Sequence, residues 1–229
     1  MRYIAMKHLM ICLLMLVALV STSCRKKMPV MSTDPNGYEI DVPGPAIQLN
    51  SFPLAVGHMW VYDNGDTVRV EKDTTIGGIA AFKVTKTNSG HTGRIYYANM
   101  SDGLHLLATN WQYSYSAGFT APLYPDVATK DSLLFPDATF LALKFPAAIA
   151  NSWEPVFTAT SSFMVQKTWE SYVKVTTKAG TFNCVKLKSN GGYYTEYYSD
   201  KGLIKVAEEV NCFTSPCPPL YTHLVYVNF

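Results

Sequence analysis

At 229 residues, with 48% hydrophobic and 13% aromatic side chains, the chain is long enough for one sizeable core and too apolar for a disordered polymer. Its 19 Lys and Arg against 17 Asp and Glu give a formal net charge of +2. So small an excess provides no electrostatic footprint for nucleic acid.

The chain opens with Arg2 and Lys7, runs from Leu9 to Val20 without a charged residue, and then meets Ser21, Thr22 and Ser23. A charged start, an apolar stretch and a small polar cleavage zone predict a secretory signal peptide over residues 1–23. The uncharged run is 12 residues long, whereas a membrane-spanning helix takes about 20. Its removal takes away two basic residues and no acid, so 19 falls to 17 and the mature domain is neutral.

The zone closes on Val20-Ser-Thr-Ser-Cys24, which resembles the lipobox of bacterial lipoproteins, although Ser21 stands where that family prefers Leu. The resemblance implies that Cys24 is the lipid-attachment residue and that the mature terminus carries more than one acyl chain, enough for stable anchoring. Arg25, Lys26 and Lys27 follow directly. Anionic headgroups attract such a run at about 1 kcal/mol per charge. Surface-exported lipoproteins resemble one another in having acidic residues there instead, so this chain is expected to face the periplasm.

Residues 24–50 contain Pro29, Pro35, Pro43 and Pro45, the turn pair Asn36-Gly37 and little hydrophobic periodicity, and read as a flexible tether. As a coil of about 26 residues it reaches on the order of 25–30 Å. Residues 51–229 form the expected single domain. Alternating runs such as HMWVYD, DTVRVEK, TWESYVKV, NCVKLK and LYTHLVYV, separated by Gly, Asn and Asp, predict antiparallel β structure. Asn64-Gly65 predicts a two-residue type I′ hairpin with positive φ at both positions. Only residues 121–138 lack a strand period, leaving room for a short helix or a long loop.

An internal duplication covers about residues 52–108 and 145–208. FPLAVGHMW and FPAAIANSW share Phe, Pro, Ala and Trp at the same spacing, with Val56 matching Ile149. TTIGGIAAFKV parallels TTKAGTFNCVKL, and Tyr96-Tyr97 before Gly103-Leu104 parallels Tyr197-Tyr198 before Gly202-Leu203. The second copy has a longer first hairpin and one inserted residue, which a β-bulge would absorb. Two copies with so long a period do not make a solenoid. The expected fold is mainly β: two similar halves in a strongly curved antiparallel sheet, half-barrel or sandwich of about 10 to 13 strands, with few short helices.

The stretches Phe52 to Tyr62, Ala179 to Lys186 and Tyr197 to Lys205 are similar to a pattern in envelope lipoproteins of Bacteroidota-type bacteria. Such domains resemble the lipoprotein-localisation factors, whose curved sheet wraps an apolar cavity for acyl chains. The resemblance implies a fold and a lipid-like ligand; its motifs carry no chemistry. A half-closed sheet of about ten strands also presents a concave apolar face that takes up a ligand unless its own side chains fill it.

Chemical motifs are scarce. His58, His91, His105 and His223 stand in no ligand spacing, so no metal site is expected, and no nucleophile elbow, P-loop or dinucleotide fingerprint predicts a reaction or a cofactor. His105 and His223 lie in strand-like runs, where a hydrogen-bonded structural role is the simpler reading. Asp63, Asp66, Asp102, Asp126 and Asp200 fall singly in turns; a hydrolase would need two of them to meet across a cleft. Cys212 and Cys217 flank a Pro-containing loop and are expected to pair in an oxidising compartment, while Cys184 reads as a small buried apolar side chain. Trp111, Tyr113 and Tyr115 alternate with polar residues and share a strand face. Exposed, they would form a binding platform for a sugar; buried, they are core. Trp60 and Trp153 read as repeated core anchors. The expected protein is a non-catalytic envelope lipoprotein without a cofactor, attached to the membrane by its acylated terminus and binding a lipid-like ligand or an envelope protein.

Overall fold

The computed structural model describes residues 42–88, 91–109, 133–134, 140–154, 166–190, 194–208 and 219–229. Among them are fourteen strands and no helix. They are β1 (Val42–Pro43), β2 (Met59–Tyr62), β3 (Thr67–Ile76), β4 (Ile79–Asn88), β5 (His91–Met100), β6 (Gly103–Thr109), β7 (Leu133–Leu134), β8 (Phe140–Lys144), β9 (Ser152–Trp153), β10 (Gln166–Thr177), β11 (Gly180–Asn190), β12 (Tyr194–Ser199), β13 (Gly202–Glu208) and β14 (Leu220–Val227). Three have only two residues, β1, β7 and β9; the other eleven fall within the expected 10 to 13. Apart from Leu133–Leu134, the stretch 121–138 lies outside the described residues.

All pairings are antiparallel, and the strands form one sheet in the order β1-β10-β11-β12-β13-β14-β2-β3-β4-β5-β6-β7, with β8 also on β6 and β9 also on β10. The sheet is strongly curved and not closed into a barrel. The two stretches that match in sequence occupy two four-stranded meanders, β3 to β6 and β10 to β13. Each breaks register at the same places: between Val70 and Lys72 in one and Trp169 and Ser171 in the other, and again at Tyr96/Tyr97 and Tyr197/Tyr198. A bulge therefore stands in both copies and does not absorb the insertion. The added residues lengthen the second hairpin, whose arm from bulge to turn is Ser171 to Thr177 where the first copy has Lys72 to Ile76.

Local turn chemistry departs from expectation at Asn64-Gly65. Only Gly65 has positive φ. Tyr62 and Asp66 close a three-residue loop, with the Tyr62 N–H donating to Asp66 O at 2.9 Å and the Gly65 N–H to Tyr62 O at 3.1 Å. This is the type I turn followed by a left-handed glycine that three-residue hairpins favour. Asn64 Oδ1 accepts from the Asp66 N–H, and Asp63 Oδ1 accepts from the His223 N–H. Those bonds stabilise the longer loop. Both-positive φ occurs instead at Gly77 and Gly78, between β3 and β4.

The domain also begins earlier than composition suggests. Val42 and Pro43 pair with Lys174 and Val173 on the edge of β10, and Leu49 is buried in the main core. Proline is compatible with an edge strand, where no ladder bond is needed from it. A Cβ on Gly44 would meet the Val173 carbonyl carbon at 2.5 Å, so only glycine lets the chain lie this close. The tether is correspondingly shorter than residues 24–50.

The inner face is filled by large side chains from both halves, among them Trp60, Trp169, Tyr198, Leu143, Leu187, Ile204 and Leu224. Phe52 packs on Trp60 and Tyr198, and Tyr198 meets Trp169 edge to face at 5.9 Å. Trp169 continues to Phe145 and Trp153. Trp60 and Trp153 are both core residues, as their matched positions suggest. Gly44→Ala is expected to lower stability by about 1–3 kcal/mol through overpacking, read as a lower urea midpoint; a midpoint equal to wild type would return residues 42–44 to the tether.

Candidate functional site

The polar residues that the fold brings together are inside the sheet. In the first half, Lys86 of β4 pairs with Asp66, just before β3, Nζ to Oδ2 at 2.8 Å, and Asn88 Nδ2 donates to Asp66 Oδ1. In the second half, Lys167 of β10 faces Glu196 of β12, Nζ to Oε2 at 3.5 Å. Both pairs are buried. Tyr198 Oη donates to Glu196 Oε1 at 3.1 Å, and Tyr62 Oη donates to the Leu203 carbonyl at 3.0 Å. Removing either member of a buried pair would strand a charge, whereas apolar replacement of both can be nearly neutral.

The second pair stands where the sheet fails to close. β8 and β10 come together, yet neither pairs with the other by a backbone ladder among the described residues. Side chains of β10 bridge them instead: Trp169 Nε1 donates to Lys144 O at 2.9 Å and Lys167 Nζ to Ala142 O at 3.5 Å. Trp153 sits opposite Lys167 in the β9–β10 register. Its Nε1, like Glu196 Oε2, is buried and makes no hydrogen bond. Native interiors leave few such atoms unbonded, and each costs about 1–3 kcal/mol.

Titration follows from these surroundings. Burial, and then the charges of Asp66 and Glu196, push the Tyr62 phenol far above its ordinary 10.0; burial and then Glu196 do the same to Tyr198. Burial, with a smaller push from Asp200, raises the Cys184 thiol to about 12. Cys184 is wholly buried in the core, and a thiol held protonated is a poor nucleophile. Hydrogen bonding from His105, Nε2 to Oδ1 at 2.8 Å, is the main cause holding Asp102 below the ordinary carboxylate value.

The histidines expected to be structural are hydrogen-bonded strand residues. His105 binds Asp102, and His223 Nδ1 lies 3.1 Å from Asp63 Oδ2. His58 Nδ1 bonds Pro53 O, and its ring stacks on Phe229 at 3.7 Å. Among the described residues no group of three or more His, Cys, Asp or Glu is placed to hold a metal ion. Asp63, Asp66 and Asp102 thus each engage a basic side chain. Cys24, Trp111, Tyr113, Tyr115, Asp126, Cys212 and Cys217 lie outside the described residues. Glu196 and Lys167 were not singled out from sequence. A signal existed: the residue before the paired tyrosines is Ile95 in one copy and Glu196 in the other.

Fold and site define a curved, open antiparallel β domain with buried charge pairs and a seam spanned by side chains. No protein-family model and no curated protein matches the chain. Among solved structures, it is similar to an exported protein with a YmcC-like fold from Bacteroides fragilis, at 12% identity and a TM-score of 0.41, over 79% of this chain and 99% of that one. It is also similar to a lipoprotein from Parabacteroides distasonis, at 13% identity and a TM-score of 0.36, over 80% of this chain and 100% of that one. Both likenesses are distant.

Because the folded-state values of Tyr62 and Tyr198 lie above the unfolded one, their contribution is complete below the unfolded value near 10.0 and declines as pH rises beyond it. The urea midpoint is expected to fall steeply above that pH. Tyr62→Phe should cost about 1 kcal/mol at neutral pH through its lost hydrogen bond and flatten the alkaline decline. An unchanged alkaline slope in this variant would contradict the assignment.

Proposed function

We propose that this is a non-catalytic protein of a bacterial cell envelope, anchored through acylated Cys24, that takes up an apolar ligand through the seam between β8 and β10. The anchor rests on the signal-like first 23 residues and on Cys24; the basic run Arg25–Lys27 supports an orientation toward the periplasm. The observation that carries the ligand reading is the seam. Between β8 and β10 themselves the described contacts are two side-chain hydrogen bonds, each worth about 1 kcal/mol net, whereas backbone bonds to β10 begin only beyond β8, at Ala150, Asn151 and the β9 ladder. The inner face behind it is aromatic and filled at rest, so a ligand enters by parting the seam and displacing side chains such as Trp169. A cavity of the kind found in lipoprotein-localisation factors would be its opened form.

Intact-mass analysis of the protein purified from its envelope should find an acylated Cys24 terminus, and Cys24→Ala should abolish acylation and membrane retention. An unmodified terminus would defeat the anchored reading. Uptake is tested by native mass spectrometry of the mature chain carrying Cys24→Ser, mixed with decanol; absence of any bound species would defeat the ligand reading.

A second reading, binding of an envelope protein, is favoured by a different observation. Val56 and Ile149, matched in the two copies, are both exposed, at 55% and 39%, on equivalent turns closed by His58 N–H to Ala55 O and Asn151 N–H to Ala148 O. A sugar-binding module would instead depend on Trp111, Tyr113 and Tyr115. Trp111→Ala separates these: a core ring should cost about 3–5 kcal/mol of stability, while a platform ring should weaken retention on immobilised glycans with folding intact.

A further inference from the structure

Laid in structural register, the two halves differ at one place in a way that repetition does not explain. Trp60 pairs opposite Val68 on β2–β3, and Trp153 pairs opposite Lys167 on β9–β10. Val84 pairs with Ile95 on β4–β5, and Leu187 pairs with Glu196 on β11–β12. Lys167 therefore stands where the first copy has Val68, and Glu196 where it has Ile95. The tryptophans correspond but are used differently. Trp60 Nε1 donates to the Lys201 carbonyl, in the turn between β12 and β13, whereas Trp153 Nε1 has no acceptor.

Two of the departures meet directly, and the third stands beside them in register. Directly opposed residues in an antiparallel pair project on the same face with Cβ atoms about 5 Å apart, which sets Trp153 beside Lys167, and Lys167 Nζ lies 3.5 Å from Glu196 Oε2. Trp153 and Lys167 are more than nine-tenths buried and Glu196 is wholly so. The place thus offers an indole N–H, an ammonium and a carboxylate oxygen still lacking a hydrogen bond, with no net charge. An anionic or cationic group brought here would add an unpaired charge to a buried, balanced pair. A hydroxyl matches this set chemically, since it can accept from an indole N–H and an ammonium and donate to a carboxylate oxygen.

We infer that the second half carries a head-group site for the neutral hydroxyl of an amphiphile, formed by Trp153, Lys167 and Glu196, with the alkyl chain lying among Trp169, Tyr198 and Phe145. This inference rests on the uptake of an apolar ligand proposed above, and specifies which one. Decanol, decanoate and decylammonium share a chain and differ in head group, so their binding to the mature Cys24→Ser chain, followed by native mass spectrometry and calorimetry, isolates the polar term. Decanol is expected to bind about tenfold or more tightly than either ion, because each ion leaves a buried charge unbalanced.

The control is Lys167→Val with Glu196→Ile in one chain, which installs the residues the first copy already accommodates and so is expected to fold. It should keep chain binding and lose the preference for decanol. Equal binding of all three probes by the Cys24→Ser chain, or a preference unchanged in the double variant, would overturn the head-group site while leaving apolar uptake standing. No binding of any probe would overturn both, and would mean that the three polar groups hold an internal water only.

Discussion

The structure depends on the ladder between β14 and β2. Two meanders with their own hairpins become one curved sheet because a strand following the second half pairs with the strand that opens the first. Leu224 opposes Tyr62, and Val227 opposes Trp60, with a register break between Leu224 and Tyr226. Around this junction the halves also exchange polar bonds: Asp63 receives two from His223, and Asn228 Oδ1 accepts from the Met59 N–H while its Nδ2 donates to Gly57 O. The opposite junction, β8 to β10, has no such ladder among the described residues. The two junctions are thus asymmetric, one laddered and the other bridged by the side chains of Trp169 and Lys167.

Buried charge is distributed with the same asymmetry. Among the described residues each half has one buried lysine–carboxylate pair, but Asp66 is satisfied by both Lys86 and Asn88, while Glu196 keeps one oxygen without a hydrogen bond. Buried ion pairs are weak sources of stability. Burial, and then Glu196, raise the cost of ionising Tyr198.

Much of this architecture was readable from the chain. Alternation of Val, Tyr and Thr with polar residues marks the strands because a half-buried sheet needs a period of two, and matched Phe, Pro and Trp positions marked two halves. The misreadings have local causes. Asn64-Gly65 has the composition of a two-residue turn, yet Asp63 is drawn to His223 at 160 residues' separation, and no local pattern contains that contact. Pro43 and Gly44 look like linker residues; an edge strand accepts the first, and close approach to Val173 requires the second. Glu196 has no local sign of its role, and only comparison with Ile95 in the other copy sets it apart. The meeting of Lys167 with Glu196 was not legible, because β11 lies between their strands in the sheet and only side chains reaching across the inner face join them.

The placement of β14 has a consequence for biogenesis. A chain emerging amino terminus first lays down β2 long before its partner exists, so the strand edge and Trp60 must wait until the second meander has been made. Pairing across such a separation is slow relative to local hairpins. Each meander can therefore form early from its own hairpins, while the joined sheet is completed last, when β14 reaches β2.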